Sequence, residues 1–252
     1  MRDLDRFEDE LIEQYERHPV LADITRLPDQ EFAEVLLQRR FLSLAFTPAY
    51  DLAIDLLQDE AGLRIARVIL REEYPDGRGH TPSHREDMTY DMGSLGIPRS
   101  AIVRSRPTAA TRRAIEDTFA LIADAGGHER SDLKLLTILR FWGEILVSVE
   151  YGRLWQRMGP QLTGDGENRS RFYYPHHVHD AKKRSLESVS LLSTTHSDRL
   201  GTRVRELLTG ADDEAAAAAC FREAEEQSLR LKTAFYDQFR HAPDRVPVPP
   251  RG

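Results

Sequence analysis

The sequence predicts an all-α protein folded as one domain, and three observations carry that expectation. Most segments space their apolar residues at helical intervals, and no convincing pair of alternating strands is present. The chain has 252 residues, 40% of them hydrophobic and 31% charged, which suits one sizeable core under a well-solvated surface. Gly- and Pro-containing breaks divide it into segments of helical rather than strand length.

In chain order, helical spacing runs over residues 3–18, 29–46, 48–74, 82–95, 108–125, 131–158, 170–188, 195–209 and 212–240. The breaks are TPAY at 47–50, YPDGRG at 74–79, SRPT at 105–108, AGG at 125–127 and GPQLTGDGENRS at 159–170, the last expected as a long loop. In HTPSHREDM, Thr81 is expected to cap a helix opening at Pro82, which places His84 in its first turn and His80 in the loop before it. DDEAAAAAC at 212–220 reads as a helix start followed by strong helix formers. The domain is expected to span 1–240, and the proline-rich tail over 241–252 to be extended or disordered.

Composition narrows the function classes. The net charge of −7 argues against a nucleic-acid partner, which needs a concentrated basic surface. Arg99, Arg104, Arg106, Arg112 and Arg113 form a local basic patch, expected as a solvated loop and helix start or as an anchor for a substrate carboxylate. No run approaches the roughly 18 apolar residues of a transmembrane helix, and the charged start MRDLDRFEDELIEQYERH lacks the apolar core of a secretory signal. No membrane association and a cytoplasmic location are expected. The single Cys220 excludes an internal disulfide and reads as a small core residue.

Chemistry-bearing residues gather in a few places. FYYPHHVHDAKK at 172–183 holds His176, His177, His179 and Asp180; on a helix, His176, His179, Asp180 and Lys183 share one face. That face can be a set of metal ligands or a solvated cluster. Glu73 continues the apolar stripe of Leu63, Ala66 and Leu70, while Glu72 points to solvent. Glu150 lies within the stripe of Leu139, Trp142, Leu146 and Leu154, either as a ligand or in a buried ion pair with Arg153 or Arg157. Glu144 shares its stripe with Thr137, Arg140 and Ser148 and suits a surface role. His84, at a helix N-terminus, is disfavoured in its protonated form and can offer a lone pair. Glu, His and Asp converging from several helices is how helical proteins bind a pair of iron or manganese ions.

The order of these motifs resembles the haem-oxygenase-like di-iron oxidases and oxygenases, over about residues 40–240. That family has a glutamate before a Gly-containing turn, a histidine opening the next helix, a glutamate in a long central helix, and H-x3-D-x2-H later. Matching positions are Glu73 in REEYPDGRG, His84 in HREDMTYDMGSLGI, Glu150 in WGEILVSVEYGRLW, and His176 with Asp180. The final histidine position is Lys183, which cannot ligate while protonated. His196 in TTHSDRLG is the preferred sixth ligand, then His179, then His80, which is also an alternative to His84.

The resemblance implies a haem-oxygenase-like helical bundle with two Fe(II) ions and O2 as co-substrate. It implies oxidation of a small molecule, best an amino acid or derivative, by desaturation, N-oxygenation or C–C cleavage in specialised metabolism. Lys183, the arginine patch, Tyr173 and Tyr174 are candidate substrate contacts. The long amphipathic helices allow a homodimer. Two readings compete: a metal-free relative of the same fold, such as a cofactor-biosynthesis oxidase or a thiaminase-like hydrolase with a cysteine nucleophile, and a noncatalytic helical binding protein.

Overall fold

The computed structural model describes residues 1–75 and 82–240. His80, Thr81 and the tail 241–252 lie outside the described residues, so the expectations resting on them stay with the sequence. Helices account for nearly all regular structure: α1 (Arg2–Glu16), α2 (Pro19–Ala22), α3 (Asp29–Leu56), α4 (Glu60–Glu72), α5 (His84–Ser94), α6 (Arg99–Arg104), α7 (Ala109–Gly126), α8 (Ser131–Ile138), α9 (Leu146–Leu162), α10 (Tyr173–His179), α11 (His196–Thr209) and α12 (Glu214–Asp237). A π-helical turn over Leu139–Ile145 joins α8 to α9, so one helix runs unbroken from Ser131 to Leu162.

That continuous helix is the axis of the bundle. From Leu133 to Val147 every residue is buried, polar ones included. Helices α1, α11 and α12 pack around it, α10 lies against α9, and α3 pairs with α7. A helix enclosed on all sides has no solvent face, so its polar stripe is an interior one. Glu144 is therefore buried, not a surface residue, and so are its stripe-mates Thr137, Arg140 and Ser148.

Several boundaries differ from expectation, each for a local reason. α3 runs through Pro48 to Leu56, and the break falls at 57–59 instead of 47–50. There Asp59 accepts from Gly62 N at 2.6 Å to cap α4, and Asp132 accepts from the amides of Gln58 and Asp59. The cap of α5 is Ser83, which forms a reciprocal capping box with Glu86, so Pro82 lies before the helix. α6 occupies residues expected as a loop. Within 159–170, α9 continues through Pro160 and a two-residue antiparallel hairpin follows, turning at Asp165 (φ 54°) and Gly166 (φ 80°). Positive φ at both central positions is what an Asp-Gly hairpin turn supplies.

The largest difference lies in 170–188, expected as one helix. α10 ends at His179, with Asp180 as its C-cap. Beyond it other partners win: Lys182 Nζ reaches Glu8 at 2.7 Å and Asp9 at 2.6 Å, Leu186 N donates to Asp5 at 2.7 Å, and Ser197 Oγ donates to the Ala181 carbonyl.

Candidate metal centre

Two groups of three potential ligands border one cavity inside the bundle. Glu73, His84 and His176 form the first, and Glu144, Asp180 and His196 the second; within each, the donor atoms lie within 4.8 Å of one another. The groups are joined along the chain, since His176 and Asp180 are one helical turn apart on α10. Helix ends supply most of these residues: Glu73 is the C-cap of α4, His84 opens α5, Asp180 caps α10 and His196 opens α11. Glu144 comes from the π turn, a distortion often found at functional sites.

In the first group His84 Nδ1 lies 2.9 Å from Glu73 Oε1, and the His84 and His176 rings are 4.6 Å apart. The Nδ1 atom is buried and, among the described residues, makes no hydrogen bond of good geometry. Burial opposes a charged His84 ring, but the Glu73 carboxylate outweighs it and raises its pKa. Burial and the neighbouring His84 push His176 down to about 4, so its ring is neutral at ordinary pH. Its Nδ1 sits 2.7 Å from the Phe172 carbonyl. Donation to that carbonyl fixes the proton on Nδ1 and leaves the Nε2 lone pair available.

In the second group His196 Nδ1 is 3.2 Å from Glu144 Oε2 and 3.3 Å from Asp180 Oδ1, while its Nε2 is 3.1 Å from Glu72 Oε2. Burial would lower the ring, but Asp180 and Glu144 hold its pKa up at about 11. Burial and the adjacent Glu144 carboxylate drive Asp180 well above the usual carboxylate range. Tyr50 donates to Glu144 Oε1. Asp91, fully buried on α5, fastens the start of α10: its carboxylate accepts from Ser170 Oγ at 2.7 Å and from the amides of Arg171, Phe172 and Tyr173. The helix carrying His84 thus holds the helix carrying His176 and Asp180.

The donor set fits a pair of cations. Glu72, Glu73, Glu144 and Asp180 have histidine partners but, among the described residues, no Arg or Lys ion pair. Four carboxylates whose ion-pair partners among the described residues are imidazoles invite a metal, and mixed carboxylate and imidazole ligands suit iron, manganese or zinc. His84 Nδ1, close to Glu73 but without a well-aligned hydrogen bond, agrees with this.

Of the sequence-predicted ligands, Glu73, His84, His176, Asp180 and His196 come together. Glu150 does not. Its carboxylate pairs with Arg39 and accepts from Tyr236 Oη at 2.5 Å and Tyr15 Oη at 3.3 Å, so it is a buried ion pair, with Arg39 in place of Arg153 or Arg157. Arg153 and Arg157 instead meet Glu16 and Asp29. Glu144 does not stand out in the sequence because its stripe carries polar residues, and Glu72 because it adjoins Glu73; Glu72 is exposed, as expected, while its carboxylate reaches His196. His179 lines the cavity without joining either group. Lys183, past the end of α10, does not line it; its backbone amide donates to Asp198. Tyr173, Tyr174 and the arginine patch do not line it either, whereas Arg39, Arg171, Lys232, Phe46, Trp142, Tyr151 and Phe172 do. Cys220 is buried on α12 away from the cavity, and burial pushes its thiol up to about 11.

No family model and no curated protein matches the chain. Solved structures do. They include a CADD-like protein of unknown function from Nostoc punctiforme, with 10% identity and TM-score 0.61 over 95% of this chain and 97% of that one. A TenA family transcription regulator from Silicibacter sp. TM1040 has 14% identity and TM-score 0.56 over 94% of both chains. A TenA homologue from P. horikoshii has 14% identity and TM-score 0.56 over 94% and 96%. The chain shares with them an all-helical, haem-oxygenase-like fold. Among the described residues, no helix is long and apolar enough to cross a membrane.

Proposed function

We propose that the protein is a non-haem di-iron oxidase or oxygenase that uses O2 to oxidise a small molecule, an amino acid or derivative being the best candidate. The observation that carries this reading is the pairing of Glu73–His84–His176 with Glu144–Asp180–His196 on one cavity, where none of the four carboxylates Glu72, Glu73, Glu144 and Asp180 forms an Arg or Lys ion pair among the described residues. Glu73, His84 and His176 would hold one Fe(II), and Glu144, Asp180 and His196 the other, with Glu72 in reach of the second. Two ferrous ions held there would supply the electrons for dioxygen chemistry. The chain does the rest. Its neutral His176 presents a lone pair, Tyr50 orients Glu144, and Asp91 fixes the helix that joins the two groups. Leu42, Phe46, Ile69, Val147 and Phe172 keep the cavity wall apolar, which limits water around the reacting groups.

A thiaminase-like hydrolase is disfavoured, because its nucleophile would have to be Cys220, which lies outside the cavity. The test is anaerobic ferrous titration, then an oxygen pulse followed by visible absorption, with a panel of amino acids and other small acids. Uptake of two irons per chain and a transient visible band with one compound support the reading. No iron uptake overturns it in favour of a metal-free relative or a binding protein.

A further inference from the structure

The cavity contains a cation that the metal reading does not use. Lys232, on α12, is only 3% exposed and borders the cavity beside Trp142, whose ring centroid lies 5.1 Å from Nζ. Its nearest carboxylate oxygen is Glu150 Oε2 at 3.8 Å, beyond hydrogen-bond distance, and Glu150 is already engaged by Arg39, Tyr15 and Tyr236. Arg39 also has capacity left. Nε serves Glu150 and Nη1 serves Ser43, while Nη2 makes no hydrogen bond among the described residues. Arg39, Lys232 and Glu150 therefore carry one surplus positive charge when the ammonium is protonated. Burial and then Arg39 pull the Lys232 ammonium down to about 7 against the attraction of Glu150 and Glu144, and an anion arriving beside it would favour the charged form.

We propose that Lys232, together with Arg39 Nη2, is the anchor for the carboxylate of a small organic acid whose apolar or aromatic body lies against Phe46, Trp142 and Tyr151. The inference rests on the reading that this cavity is the substrate chamber of the metal centre. It moves the acid's anchor from Lys183 and the arginine patch to two residues that do line the cavity.

The test uses metal-free protein, so that iron cannot bind the acid itself. Calorimetry compares hexanoate and 3-phenylpropanoate with their uncharged amides, on wild type and on Lys232→Met. Both acids are expected to bind at least about tenfold more tightly than their amides, and Lys232→Met to remove that preference, since a charge-assisted hydrogen bond contributes at least that factor. Equal binding of acid and amide, no binding of either acid, or an acid preference that survives Lys232→Met overturns the proposal. Ferrous titration of the same two proteins separates the two readings. Acid discrimination without iron uptake sinks the metal centre alone; iron uptake without acid discrimination sinks the anchor alone. Thermal melting of Lys232→Met checks its fold, and the acid–amide comparison on wild type stands without it.

Discussion

Glu144 and Glu150 lie on the same continuous helix, both buried, and meet opposite surroundings. Glu150 faces Arg39, two tyrosine hydroxyls and Lys232, a setting in which its charge is fully compensated by cations and donors. Glu144 faces Tyr50 and His196, and that imidazole is shared with Asp180 and Glu72. A buried carboxylate beside its own guanidinium is a strut. One that shares a single imidazole with two other acids is short of positive charge, and that shortage makes it a candidate ligand. A third region repeats the first case: Arg140, one turn before Glu144, is enclosed by Glu8 and Glu225, with Lys182 against Glu8. There Glu8 is pulled down to about 2, against the cost of its burial, by Arg140.

The sharpest way to break the comparison is Glu150→Ala. It strands Arg39 and Lys232 in the core, and removing one partner of a buried pair costs about 3–5 kcal/mol. Denaturant unfolding should register that loss while ferrous uptake stays at the wild-type stoichiometry. Iron loss with little destabilisation would make Glu150 a ligand after all. Glu144→Ala should do the reverse. Fe(II) at a hundredfold excess over its dissociation constant stabilises a folded protein by about 2.7 kcal/mol per site. The variant should forfeit that gain at one site, while its metal-free stability falls by about 1–3 kcal/mol, because Tyr50 and His196 lose their shared acceptor. Full iron stabilisation of Glu144→Ala would contradict the assignment.

Asp91→Asn comes next. The amide keeps the shape but offers one acceptor oxygen where two now receive four donors, so a loss of about 1–3 kcal/mol is expected. Because α10 carries one residue of each group, iron affinity should also fall, by about 10- to 100-fold, as for other groups that orient ligands. A stability loss with unchanged iron affinity would leave Asp91 a purely structural cap.

The all-helical fold is legible in the sequence because apolar spacing survives in most helices, and the expected starts at 108, 195 and 212 fall at or beside the caps Thr108, Thr195 and Asp213. Glu73, His84, His176, Asp180 and His196 were legible because the first four follow a motif order and His196 opens a helix on an apolar stripe. What the sequence hid follows from the central helix. A polar stripe marks a wet side only where a helix has one, and over 133–148 this helix is dry all round, so Glu144 is as buried as Arg140. Its π turn also adds a residue relative to α geometry, which shifts the faces on either side of it. Asp91 and Lys182 act across the fold, Lys182 pairing with Glu8 and Asp9 where 181–188 leaves the expected helix, and no local periodicity announces such partners.

The smallest expected effect is the most discriminating. Tyr50→Phe removes the donor to Glu144, and Tyr236→Phe removes a donor to Glu150. Each deletion of a buried hydroxyl should cost about 1 kcal/mol in metal-free protein, since Glu150 Oε1 keeps Arg39 and Glu144 keeps His196 on its other oxygen, Oε2. Iron should then separate the pair. If Glu144 is a ligand, a bound cation supplies the positive charge its oxygen has lost, so the cost of Tyr50→Phe should shrink when Fe(II) is present. Glu150 is out of reach of either group, so the cost of Tyr236→Phe should be the same with and without the metal. Paired thermal melts of the two variants give the answer without assaying turnover. Equal responses to iron would mean that the two glutamates differ in their neighbours but not in their function.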